Sequence, residues 1–147
     1  MMYQRNLKAY KATSIAADLA VADPHRVIQL LMQGALENMA KSKGCMERKD
    51  FAGKSSFLSR AMAIISSLQG SLDMNMGGEI SDNLAALYDF MINHLGAASR
   101  DNDPAKVDDV IELMLTIKVA WDQIPVSARE EAYQMRATAD QKMAVGG

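Results

Sequence analysis

The sequence predicts an all-α protein, an antiparallel up-down four-helix bundle with a short N-terminal capping segment and a short C-terminal tail helix. In four long stretches the apolar residues recur at steps of three and four, the spacing of one helix face. Asp-Pro pairs at 23–24 and 103–104 indicate helix starts, because aspartate caps free amides and proline is tolerated at the first helical position. No stretch alternates as a strand would, and short turns make consecutive helices antiparallel neighbours.

Length and composition indicate one domain. The 147 residues are 49% hydrophobic, which is enough for a core without disulfides or metals. We expect a single helical-bundle domain over 1–147, with a mobile N-terminal segment at 1–22, a four-helix core at 23–124 and a tail at 125–147.

The N-terminal segment has a narrow apolar stripe. Tyr3, Leu7 and Tyr10 follow one another at steps of four and three, with basic residues on the other faces. Because so narrow a stripe cannot hold a helix together alone, we expect the segment to dock weakly on the bundle.

The first two helices are predicted to start at Asp23-Pro24 and at Asp50, with a turn at 48–50 between them. Their apolar stripes are Val27, Ile28, Leu31, Met32, Ala35 and Met39 in the first helix, and Phe57, Leu58, Ala61, Ile64, Ile65, Leu68 and Leu72 in the second.

The third predicted helix is the most apolar of the four. It follows a predicted loop at 73–78 that ends in Gly77-Gly78, a pair that a helix interior disfavours. Its apolar arc covers about 200°, about twice that of an ordinary surface helix, so it should be deeply buried or have more than one neighbour. The face consists of Ile80, Leu84, Leu87, Met91, Leu95 and Ala98, widened by Tyr88, Phe90 and Ile92.

The fourth predicted helix runs from Pro104 to Ile124 and is stopped by Pro125. Beyond it, Ser127 to Glu130 forms a capping-box pattern, which predicts a short tail helix with few apolar residues.

Charge and composition exclude several classes of protein. A net charge of -2 argues against nucleic-acid binding, which needs clustered lysine and arginine. The polar N-terminus is not that of a secretory signal peptide, and no uncharged run is long enough to span a bilayer. Cys45 is the one cysteine, so no intramolecular disulfide can form. We therefore expect a cytoplasmic protein without membrane insertion.

The motifs of cofactor and metal chemistry are missing. The sequence has no Glu-x-x-His, no Cys-x-x-Cys-His and neither of the glycine-rich phosphate loops, so no cofactor and no enzymatic activity are expected. His25 is predicted to be exposed in a first helical turn, and His94 to be buried on the third helix. The stretch from His94 to Ser99 is faintly similar to the histidine phosphotransfer motif, which makes phosphotransfer through His94 an alternative function.

Some apolar residues lie outside the predicted core faces. Grooves lined by such residues usually mark a partner site. An equally weighted alternative is that the N-terminal segment and the tail helix cover them. The residues are Leu30, Met62, Ile92, Leu115 and Val119.

An ordered series of short motifs resembles the flagellin-specific secretion chaperones of bacterial flagellar export. The series covers nearly the whole chain, although Gln33, Gly96 and the tail after Pro125 depart from the family pattern. It consists of Leu7-Lys8-Ala9-Tyr10, Pro24-His25, Gly34-Ala35, Ile64-Ile65, Leu72-Asp73, Gly77-Gly78-Glu79-Ile80, Asn83-Leu84, Leu87-Tyr88-Asp89-Phe90-Met91-Ile92 and Ala120-Trp121.

The resemblance implies a cytoplasmic, non-enzymatic chaperone. Such a protein binds the disordered C-terminal segment of flagellin, prevents premature polymerisation and assists delivery to the type III export apparatus, meeting an export gate component while loaded. Leu7 and Tyr10 would then form part of the client site or its lid, with the five groove residues as further candidates. A structural homo-oligomer remains an alternative, and self-association is left open.

Overall fold

The structure is a computed structural model that describes residues 23–72 and 74–125, and positions 127, 128, 131, 134, 135 and 138 beyond them. For 74–77 it describes the backbone alone. The described residues are helical apart from turns and contain no strand, which confirms the all-α prediction. The four helices are α1 (Pro24–Glu47), α2 (Phe51–Gly70), α3 (Met74–Asp101) and α4 (Pro104–Asp122).

Aspartates begin three of the helices, as the sequence predicts. The Asp23 side chain accepts a hydrogen bond from the Arg26 amide, and the Asp50 side chain accepts one from the amide of Gly53. The Asp103 side chain accepts one from the amide of Ala105. Because the first amides of a helix have no partner within it, these caps fix where α1, α2 and α4 start.

The helices form a ring in which each packs on the next and α4 packs on α1. Contacts between neighbours join the start of one helix to the end of another. Lys54 near the start of α2 donates to the Ser99 carbonyl near the end of α3, at 2.9 Å, and Lys43 of α1 pairs with Asp108 of α4. These pairings are compatible with the predicted up-down order.

The core lies along the axis of this ring and is rich in methionine. The described methionines at its centre are less than 2% exposed, so they fill space here and are not a partner surface. The buried apolar residues are Met32, Ala35, Met39, Cys45 and Met46 of α1, Leu58, Ala61, Ile65 and Leu68 of α2, Tyr88, Met91, Leu95 and Ala98 of α3, and Val107, Val110 and Met114 of α4.

Gly53 lets the start of α2 approach the end of α1. A Cβ at this position would lie 2.4 Å from an Asp50 carboxylate oxygen and 2.8 Å from the Cys45 sulfur. Both distances are shorter than real Cβ contacts allow, so a larger residue at 53 would force the Asp50 cap or the Cys45 side chain to shift.

The beginning of α3 differs from its prediction. The helix starts at Met74, where a loop at 73–78 was expected, and Gly78 interrupts it with φ 53° and ψ -130°. Only glycine adopts that conformation readily. The glycine pair therefore marks a kink within the helix.

One end of the bundle is closed by a reciprocal contact between α1 and α4. The His25 ring nitrogen Nε2 donates to the Trp121 carbonyl at 2.7 Å, and the Trp121 indole nitrogen donates to the His25 carbonyl at 3.0 Å. The two rings are stacked, with centroids 4.9 Å apart. The prediction that His25 is exposed is wrong: the residue is 3% exposed because Trp121, 96 positions away, covers it.

Burial raises the pKa of Tyr88 above its ordinary value of 10.0, because the phenolate would lose hydration in the core. Since the folded-state pKa is the higher one, the associated stability is present below pH 10 and is lost as pH rises through the folded-state pKa. We expect alkaline unfolding to be shallower in Tyr88→Phe. Tyrosinate absorbance and the free energy of unfolding, measured together across this range, test the prediction; identical alkaline profiles for both proteins would contradict it.

Candidate protein-binding surface

Three large apolar side chains of α3 face solvent. We call Ile80, Leu87 and Phe90 the α3 patch; Ile80 is 72% exposed and Phe90 is 47% exposed. The prediction that Ile80 and Leu87 belong to the inward face is wrong, because Ser81 and Tyr88 turn inward in their place. The wide apolar arc of α3 is thus divided between the core and an exposed flank.

The exposed flank lies beside α4. His94 is one turn beyond Phe90, and its Nε2 donates to the Asp109 carboxylate of α4 at 3.0 Å. Leu87, Phe90 and His94 lie on one flank of α3, because they are separated by three and four residues. The α3 patch therefore borders the α3–α4 seam.

The Phe90 ring is held in place by its neighbour. It stacks on the His94 imidazole with centroids 4.9 Å apart and planes 20° from parallel. The His94 side chain is 22% exposed, so the prediction that it is buried in the core is wrong. The stack on His94, whose imidazole donates to Asp109, orients the Phe90 ring, and a side chain oriented before binding loses less conformational freedom when a partner covers it.

A second exposed apolar surface lies on the other flank of α4. We call Leu115 and Val119 the α4 patch; both are about half exposed. Leu115 is two turns after Asp108, which pairs with Lys43, and Val119 is one turn before Asp122, which accepts a hydrogen bond from Gln29. The α4 patch therefore lies toward α1, between the Lys43–Asp108 pair and the hydrogen bond from Gln29 to Asp122.

The remaining candidates from the sequence are in different places. Leu7 and Tyr10 lie outside the described residues. Leu30 is half-buried on α1. Met62 and Ile92 are partly buried and pack against the core. Of the five groove candidates, only Leu115 and Val119 are both large and exposed.

Sequence reasoning missed the α3 patch as a candidate surface. Its signal was the excess width of the α3 arc, since a helix with two neighbours cannot bury about 200° of apolar surface. What the arc could not show is which edge stays exposed.

No three histidine, cysteine or acidic residues in the described part of the chain are close enough to hold a metal ion. A hydrogen bond from Lys106 lowers the pKa of Asp101, and one from Lys118 lowers the pKa of Asp122. Both carboxylates are on the surface, so these are ordinary exposed ion pairs of small energetic weight.

No helix in the described part of the chain combines the length and the apolar character that crossing a bilayer requires.

Comparison with known proteins places the chain in a family. The family described as "Flagellar protein FliS" matches residues 5–128. The flagellar secretion chaperone FliS of Vibrio cholerae is 45% identical over 120 residues, which are 82% of this chain and 88% of that protein.

Further relatives carry the same description. FliSB of Pseudomonas aeruginosa is 42% identical over 84% of this chain and 98% of its own length, and FliS of Salmonella typhimurium is 37% identical over 83% and 91%. Both are named as flagellar secretion chaperones, and the family is not one of enzymes. Membership of a chaperone family argues against the phosphotransfer alternative for His94. With its four-helix architecture and a match that covers most of its length, the chain belongs to the FliS family of flagellar secretion chaperones.

Proposed function

We propose that this chaperone binds the disordered C-terminal segment of flagellin in the cytoplasm, prevents premature polymerisation and assists delivery to the type III export apparatus. The loaded chaperone would then meet a component of the export gate. Family membership supplies the class of protein, and the exposed apolar side chains supply a surface for the client.

The observation that carries the proposal is the α3 patch. Three large apolar side chains of α3 stay exposed, and one of them, the Phe90 ring, stacks on the His94 imidazole. Contiguous exposed apolar surface of this kind typically marks a partner site. An extended chain could cover both this patch and the α4 patch, because only the width of α4 separates them.

Helix-in-groove recognition suits such a surface. A client segment that is disordered when free can form an amphipathic helix and lay its apolar face along the α3–α4 seam. Ordering the segment costs about 2–5 kcal/mol of the gross interaction energy, so the contacts must be apolar and extensive.

Isothermal titration with a peptide of the C-terminal segment of flagellin from the same cell tests the proposal. We expect saturable one-to-one binding with a negative heat-capacity change, the marker of apolar burial. A flagellin truncated before this segment is the control and should not bind. Equal binding of both, or of neither, would contradict the proposal.

A structural homo-oligomer is the alternative use of the same surfaces. Light scattering across a concentration range, with and without the peptide, distinguishes a client chaperone from a homo-oligomer. A client chaperone stays at one mass until the peptide binds, whereas a homo-oligomer grows with its own concentration.

We also propose that Leu7 and Tyr10 contribute to the client site or its lid. Leu7→Ala combined with Tyr10→Ala should change the peptide affinity about tenfold, because two large apolar side chains are lost. Lys8→Ala, in the same segment but outside the apolar stripe that the sequence predicts, is the matched control. An affinity equal to that of the unmodified protein would refute the role of this pair.

A further inference from the structure

A small cluster on the seam between α1 and α2 holds two cations against one aromatic ring. The Lys41 ammonium of α1 lies 5.8 Å from the centroid of the Phe57 ring of α2, and the Arg60 guanidinium lies 5.7 Å from the same centroid. Both cations are exposed, and the attraction of each to the ring is worth about 0.5–1 kcal/mol at such a site. We call Lys41, Phe57 and Arg60 the α1–α2 cluster. Its ring keeps two like charges together on the surface of two different helices.

No described carboxylate forms an ion pair with the cations of this cluster, whereas three other lysines are each paired with an aspartate. α2 contains no aspartate or glutamate. Glu37 is one turn before Lys41, but its carboxylate accepts a hydrogen bond from Gln33 instead. Because like charges repel one another, an anionic group placed between Lys41 and Arg60 would be stabilised by both.

The α1–α2 cluster belongs to the positive half of the bundle. Residues 24–70, which span α1 and α2, contain seven lysines and arginines and three carboxylates, a net charge of +4. Residues 74–122, which span α3 and α4, contain nine carboxylates and three basic residues, a net charge of -6. An acidic segment is therefore attracted to the α1–α2 half and repelled by the other half.

The shape of the surface favours a helix over a bilayer as the source of the negative charge. Phe51, the one large exposed apolar side chain described on α2, lies against Lys54, which donates to Ser99 of α3, so it is on the other flank. A bilayer would therefore find no apolar anchor beside the cluster. A partner helix can approach closely, because helix separation depends on the side chains at the contact and those on the exposed face of α2 are small. They are Ala52, Ser55, Ser56, Ser59, Ala63, Ser66, Ser67 and Gly70.

We propose that the α1–α2 seam binds an acidic helical segment of a second protein partner, with carboxylates of that segment against Lys41 and Arg60. In the ring of helices this seam is opposite the α3–α4 seam, so the two seams can be occupied at the same time. The inference goes beyond the proposed function and does not depend on where the client binds.

The probe is a stapled helical peptide of alanine and glutamate with its glutamates on one face. Lys41→Glu with Arg60→Glu should weaken its binding about tenfold at about 0.1 M salt, where the screening length is ~10 Å, and hardly at all at about 1 M, where it is ~3 Å. Arg26→Glu with Arg100→Glu is the matched control, since it changes the net charge equally at exposed positions outside the cluster. The control pair should stay within about twofold of the unmodified protein at 0.1 M salt. Circular dichroism verifies that all variants keep the helical fold.

Phe57→Leu tests the part played by the ring. It keeps an apolar side chain in the seam and leaves every charge in place, but the two cations lose the ring face that holds them. We expect the peptide affinity to fall about threefold, the equivalent of one cation–π contact. The same substitution should have no further effect once Lys41 and Arg60 are both alanine, and a loss that persists in that background would overturn the role of the ring.

Four results would overturn the inference: no binding of the glutamate peptide, equal binding of a glutamine version, equal affinities in the reversal and control pairs, or competition with the flagellin C-terminal peptide. Vesicles of phosphatidylserine and phosphatidylcholine that bind where the glutamate peptide does not would identify an anionic membrane surface as the occupant, and would also overturn it. Each of these results leaves the flagellin titration to be judged separately.

Discussion

Leu87→Ala combined with Phe90→Ala is expected to weaken binding of the flagellin C-terminal peptide by about 100-fold, ~3 kcal/mol. Truncation removes the ring that His94 holds in place and the leucine one turn before it, and so empties the centre of the α3 patch. The fold should survive, because the buried residues of α3 are untouched. Calorimetric titration measures the affinity.

Phe51→Ala is the matched control for this variant. Phe51 is 54% exposed, slightly more than Phe90, and its ring lies beneath the Lys54 ammonium on α2. If exposed aromatic area alone decided affinity, Phe51→Ala would be as harmful as Phe90→Ala. We expect it to bind normally, and equal losses in the two single variants would refute the assignment of the site to α3.

Trp121→Ala should lower the free energy of unfolding by about 3 kcal/mol, a loss typical of removing a large packed aromatic ring. The substitution removes the stack on His25 and leaves the His25 carbonyl without its indole donor. For a domain of this size the midpoint of thermal unfolding should fall by about 10 °C. Chemical denaturation followed by circular dichroism gives the free energy.

Trp121→Phe separates the contribution of the ring stack from that of the indole hydrogen bond. It keeps an aromatic ring against His25 but cannot donate a hydrogen bond, so the loss should be close to 1 kcal/mol. The carbonyl of residue 121 still accepts from His25 in both variants, which restricts the comparison to the side chain. A Trp121→Ala protein as stable as the unmodified one would show that the contact is incidental.

Local signals in the sequence predicted the elements well. Asp23, Asp50 and Asp103 cap helices where expected, because capping depends on residues within one turn. The four apolar stripes indicated the four helices, since apolar spacing is a local property, but the third stripe included Ile80 and Leu87, which are exposed.

The features that the sequence did not reveal depend on contacts with residues far away along the chain. Nothing near His25 indicates that Trp121 will cover it, and nothing near His94 indicates that Asp109 will draw its imidazole toward the surface. The α3 patch is of the same kind, because its exposure depends on the placement of α4. Leu115 and Val119 were identified correctly as exposed since they lie far from the centre of their own stripe.

The stacked pair that closes one end of the bundle also makes that end optically observable. Trp121 is the single tryptophan of the chain, so the protein carries one indole fluorophore, at a known position. An imidazole in van der Waals contact with an indole alters its emission. Any opening where α1 begins and α4 ends can therefore be followed in real time without attaching a dye.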